Sequence, residues 1–166
     1  MHLQWGLRWL ALASVAGVVA LGGEAPAKEK VVGNWLIDER VDAFGDGNRV
    51  VAIHSDGRAD TVAVRCLRGK ASFAIMEDLA TYGSDDIVLV KFRAGTGEII
   101  DTVGAPVNNR TLEVLMRPGM LDGLAKARKF AFRITTGLAT FDRTYSARAN
   151  DQVVDLVVKA CPATLR

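Results

Sequence analysis

The sequence predicts a mainly β (α+β) domain: an antiparallel sheet or β-sandwich with one short inserted helix and a C-terminal helix. Three observations carry this. Short runs of alternating apolar and polar residues recur along the chain, the pattern of half-buried strands. Glycine, Asp and Asn clusters separate them at hairpin spacing. Apolar residues recur at helical spacing in only two places, one internal and one terminal, and strands followed by packed helices make an α+β layer arrangement.

The elements follow in order. Val31 to Asp38 opens the domain, with Trp35 as a core anchor. Ala43 to Asn48 (A-F-G-D-G-N) is turn chemistry and leads into the β-branched run Arg49 to His54. After the turn Ser55-Asp56-Gly57-Arg58 comes the central hairpin, Thr61 to Glu77, folded at Arg68-Gly69-Lys70. Side chains alternate across a strand, so Val62, Val64 and Cys66 share one face, with Ala71, Phe73 and Ile75 opposite them. Asp78 to Asp86 is a polar connection. Ile87 to Arg93 alternates Val88, Val90 and Phe92 against Leu89, Lys91 and Arg93, and Ala94 to Gly97 turns the chain into Glu98 to Val103. Pro106 to Asn109 reads as loop and Thr111 to Met116 as a short strand. Met120, Leu121, Leu124 and Ala127 recur at helical spacing; Phe130, Phe132 and Ile134 alternate as a strand, and Ala139 to Tyr145 pairs back on it. The last helix starts near Asn150 or Asp151, either a good N-cap, buries Val153, Leu156, Val157, Ala160 and Cys161, and ends at Pro162.

Length and composition bound the class. The chain has 166 residues, 49% hydrophobic and 24% charged, which suits one globular domain. The formal charge of +2 gives no case for nucleic acid. Residues 1–27 read as a secretory signal peptide, leaving residues 28–166 as one exported domain. Arg8 supplies the positive region, Trp9 to Leu21 gives about 13 apolar residues, short of the roughly 20 needed to span a bilayer, and Ala25-Pro26-Ala27 is a small-x-small cleavage site. Stable membrane insertion after cleavage is not expected, and the compartment is periplasmic or extracellular. Export makes the two cysteines readable as a disulfide, Cys66 to Cys161, joining the central hairpin to the last helix.

The residues that bear chemistry are few. His54 is the one histidine beyond residue 27, which weakens metal sites and Ser-His-Asp catalysis, and its place before a turn reads as a solvated strand edge rather than a base. Asp42, Asp46 and Asn48 lack the register of an EF-hand. Gly45-Asp46-Gly47 and Gly95-Thr96-Gly97 lack the lysine and helix start of a phosphate loop. No catalytic, metal or cofactor-binding constellation emerges, and no cofactor is expected. Arg65, Lys91, Arg93, Arg133 and Arg143 alternate with apolar strand neighbours and are expected to project outward; they read either as the ordinary lysines and arginines that blunt exposed strands or as a basic sheet face that receives an acidic partner.

Trp35 near the start, Val64-Arg65-Cys66 in the central strand, Lys91-Phe92-Arg93, and Phe141-Asp142 followed by a helix closing on Cys161 form an order that resembles the VasI-type accessory proteins associated with type VI secretion, small exported proteins of proteobacteria. The resemblance spans about residues 34–161. It implies a non-enzymatic exported domain partnered with another exported or envelope protein, and it brings no catalytic residues. Two alternatives are a small exported hydrolase using His54 and a β-barrel carrier of small molecules.

Overall fold

A computed structural model describes residues 28–40, 48–56, 60–78, 81–83 and 87–162. The predicted signal peptide, Asp42, Asp46, the Gly45 turn and Asp85-Asp86 lie outside them.

Among the described residues, ten strands form one antiparallel sheet. They are β1 (Lys28–Val32), β2 (Trp35–Arg40), β3 (Arg49–Ser55), β4 (Thr61–Leu67), β5 (Lys70–Met76), β6 (Val88–Ala94), β7 (Ile100–Asn108), β8 (Thr111–Leu115), β9 (Lys129–Thr135) and β10 (Thr140–Ser146). Two helices complete the domain, α1 (Met120–Lys126) and α2 (Asn150–Ala160). The spatial order is β1-β2-β3-β4-β5-β8-β7-β6-β9-β10, so β1 and β10 are the two edges. The mainly β class with an inserted and a terminal helix is the one the sequence predicts.

The sheet is folded on itself. Strands lie about 4.8 Å apart, so the seven steps from β2 to β9 would span about 34 Å in a flat sheet. Instead the Trp35 and Phe130 rings stack with centroids 6.2 Å apart, and Phe73 of β5 meets Phe92 at 5.5 Å and Phe132 at 5.2 Å. The inner faces of the two halves therefore form one core. Trp35, Phe73, Phe92, Phe130, Phe132 and Tyr145 fill it, each at most 2% exposed.

The helices pack on each other, α1 also on β6 and α2 on β3 and β4. At one end of α2, Trp35 Nε1 donates to Asn150 Oδ1 (2.8 Å); at the other, Cys161 is bonded to Cys66, with Cα atoms 5.7 Å apart. The expected disulfide thus pins the terminal helix along β4.

The opening segment is a hairpin: Gly33 turns it with φ 62°, positive at the first central position only, as a two-residue type II′ loop requires. Two local readings are corrected. Pro106 to Asn108 belongs to β7, where the register shifts opposite β8, rather than to a loop. Asn150 is the first helical residue, not the N-cap. Ala149 takes the cap position with φ 60°, and the Asn150 side chain instead joins Trp35 to the Ala127 carbonyl, to which Nδ2 donates at 2.6 Å.

Candidate binding cleft beside the last strand

β10 runs past the ends of β3, β4 and β5. Alternation along β10 divides its side chains: Phe141, Arg143 and Tyr145 lie opposite Ile134, Phe132 and Phe130 of β9 and share the inner face, while Asp142 and Thr144 point outward. Arg143 is therefore not on the outward basic face. It turns into the fold, where Nη2 lies 2.6 Å and Nε 3.0 Å from Glu77 Oε2, and Nε lies 3.0 Å from Asp60 Oδ2. Its Cζ also sits 4.7 Å above the Phe141 ring. Burial opposes its charge, but the bonds to Glu77 and the nearby Asp60 hold its pKa above the ordinary arginine value.

Glu77 is buried and is further bonded by the Tyr82 hydroxyl, at 3.3 Å from Oε1. Burial first, and the Glu77 charge second, push the Tyr82 phenol well above its usual range; Tyr145 is raised by the same two causes. The Tyr145 hydroxyl is buried and has no hydrogen-bond partner among the described residues.

His54 stands beside this cluster and is 1% exposed, which corrects the reading of a solvated edge. Its ring packs 5.2 Å from Trp35 and 6.2 Å from Tyr145. Nδ1 lies 3.1 Å from the Asn34 carbonyl oxygen and Nε2 2.7 Å from Asp56 Oδ1. Both nitrogens face oxygen acceptors. Asp56 Oδ2 accepts from the Ser146 N–H at 3.2 Å, Asn34 Nδ2 donates to the Ser146 carbonyl, and Asn34 Oδ1 accepts from the Arg148 N–H. The histidine is thus a post that fastens the end of β10 to the β1–β2 turn. Sequence spacing hid this, because Asn34 and Ser146 are 112 residues apart.

A cleft of about 250 Å³ opens here, lined by Asp56, Asp60, Asp142, Arg143, Thr144 and Tyr145. Asp56 and Asp60 keep about a third of their side chains exposed. Two carboxylates, Asp60 and Glu77, share the Arg143 guanidinium, and Asp56, bonded to His54, lines the same cleft, so carboxylates outnumber the arginine there. Among the described residues no group of His, Cys, Asp and Glu is arranged to hold a metal. A second cleft, about 530 Å³, lies between the end of α1 and the start of α2, where the one buried polar side chain, Asn150, already has its partners.

The other expected basic residues do project outward, but mostly not as free charge. Lys91 and Arg133 are directly opposed on β6 and β9, and carboxylates flank them across the sheet: Lys91 Nζ lies 2.7 Å from Asp101, and Arg133 makes two 2.8 Å bonds to Asp142. The like-charge pair is thereby neutralised on both sides. Arg65, on the outer face of the other half, is largely covered and pairs with Glu113 at 2.8 Å and Ser72 at 3.0 Å. Arg93 is exposed and makes no ion pair among the described residues.

No family model matches the chain, and neither the curated proteins nor the solved structures include a similar one. No described helix is long and apolar enough to cross a membrane.

Proposed function

We propose that this chain is an extracytoplasmic, non-enzymatic binding module that acts by holding a protein partner. The observation that carries the reading is the use of His54. Its ring is buried between Trp35 and Tyr145 with both nitrogens engaged, so it supports the fold where a general base would need to reach a substrate proton. The Cys66–Cys161 bond suits an oxidising compartment. Exposed apolar side chains suit a protein surface as partner: Leu89 lies opposite Thr135 at the end of the β6–β9 pair, beside Ile87, and Leu138 is fully exposed in the β9–β10 turn. Within this reading, the resemblance to the VasI-type proteins makes an envelope or secretion-apparatus component the partner to look for, and Arg93 remains a cation that an acidic patch on it would meet.

The test is photo-crosslinking in the native cells, with a photoreactive residue placed in turn at positions 89, 93, 138 and 144. A discrete protein adduct from at least one position is expected. Absence of any protein adduct from an exported, disulfide-bonded chain would overturn the reading.

A further inference from the structure

The free edge of β10 carries an inference that rests on the protein-binding reading and deepens it. In an antiparallel strand the N–H and C=O of one residue point to the same side, and the side alternates with each residue. Three contacts fix the phase. The Ser146 N–H and C=O both bond away from β9, to Asp56 and Asn34. The Asp142 carbonyl also faces away from β9, accepting from Arg143 Nη1 at 3.2 Å. Ala147, one residue on, sends its N–H to the Arg128 carbonyl beside β9. The even-numbered residues of β10 therefore present their backbone to the open side.

Ser146 is already covered there. Thr144, with both its N–H and C=O, and Asp142, with its N–H, make no backbone hydrogen bond to any described residue on that side, and both residues are exposed. This open stretch forms one wall of the acidic cleft, which Asp142, Arg143, Thr144 and Tyr145 line consecutively. Asp56 and Asp60 line the same cleft. A strand edge with unpaired groups is a template for another strand, and natural folds commonly blunt it with charged side chains, lysine above all, or proline. Here the charges beside the edge are mainly negative. Asp60 shares Arg143 with Glu77, and Asp56, bonded to His54, keeps about a third of its side chain exposed, so the edge is closed to acidic chains but open to a cationic one.

We infer that β10 receives an extended segment of the partner by strand addition, and that the segment carries a lysine or arginine directed at Asp56 and Asp60. Thr144 supplies a reciprocal N–H and C=O pair, which aligns the incoming chain, and alternate side chains of that chain fall into the cleft. Charge complementarity selects a basic segment over an acidic one.

The experiment selects short random peptides displayed on phage against the immobilised, disulfide-bonded chain, and the recovered peptides are then synthesised. Thr144→Pro removes the outward N–H while proline remains compatible with an edge strand, and Thr144→Val keeps it. Recovered peptides should carry Lys or Arg among β-forming residues. Their affinity should fall about tenfold or more in Thr144→Pro and in Asp60→Asn, and stay within about twofold in Thr144→Val. Binding should also slow hydrogen exchange of the Thr144 amide. Peptides that bind Thr144→Pro as well as the parent, that lack basic residues, or that cannot be recovered at all would overturn the inference. So would concentration-dependent self-association that protects the Thr144 amide, which would assign the edge to a second copy. In each case a protein adduct in the crosslinking test, formed from another surface, would leave the binding-module reading standing.

Discussion

The Arg143 guanidinium, at the edge of the cleft, holds the buried carboxylate of Glu77, 66 residues earlier in the chain, and so ties the last strand to the end of β5. Removing one partner from a buried pair leaves the other uncompensated. Arg143→Met should therefore lower stability by about 3–5 kcal/mol, and Arg143→Met combined with Glu77→Gln should recover most of that loss. Urea unfolding of the two variants checks this. Equal stability of the single and double variants would show that the pair is not coupled.

The disulfide is the covalent counterpart of that tie. Cys66 and Cys161 close a loop of 95 residues, and loss of a native bond of this kind costs about 2–5 kcal/mol. Cys161→Ser should lower stability in that range and speed hydrogen exchange throughout α2 before the sheet core. Non-reducing peptide mapping of exported protein should recover the linked pair, and two alkylatable thiols would contradict it.

The strands and this bond were legible in the sequence because both follow local rules. Val62, Val64 and Cys66 alternate with period two, and the expectation of export makes a cysteine pair readable. Arg143 was misplaced against that rule: its immediate neighbours are Asp142 and Thr144, and it shares the parity, hence the face, of Phe141 and Tyr145, which the β9 register turns inward. His54 shares the parity of Val50 and Ala52, so period two points it inward; its place before a turn hid this, and its cover comes from Trp35 on the neighbouring β2 and Tyr145 on β10. The outward placement of Lys91 and Arg133 was readable, but the flanking Asp101 and Asp142 that neutralise them depend on strand order.

Gly33 is a second position set by distant structure. Its φ of 62° favours glycine, and an added Cβ would run into the Arg148 carbonyl oxygen at the link between β10 and α2. Gly33→Ala should destabilise by about 1–3 kcal/mol or more, from backbone strain together with the displaced link. Thermal unfolding gives the answer, and an unchanged Tm would mean that the turn does not press on that link.

Acid sensitivity has an assignable part. Burial works against ionisation of Glu113, yet hydrogen bonds from Ser72 and Arg65, with the Arg65 charge, hold its pKa below the usual carboxylate range. A depressed folded-state pKa contributes stability that is present at neutral pH and lost as pH falls through the folded value. Below about pH 4.3 the parent should lose stability more steeply than Glu113→Gln, whose side chain does not titrate there. Parallel curves of stability against pH for the two proteins would remove Glu113 from the acid response.

The binding reading stands or falls on whether His54 serves the fold or a reaction. His54→Gln keeps one hydrogen-bonding group toward Asn34 or Asp56 and should cost about 1–3 kcal/mol for the contact left unmade. The decisive measurement is the activity of this variant in cells lacking the parent gene, with its disulfide, Tm and partner adduct recorded on the same preparation. Activity and adduct yield should follow the folded fraction and be retained below the Tm. A folded, disulfide-bonded His54→Gln protein that still captures its partner but has lost all activity would contradict a non-enzymatic module and return His54 to a catalytic role.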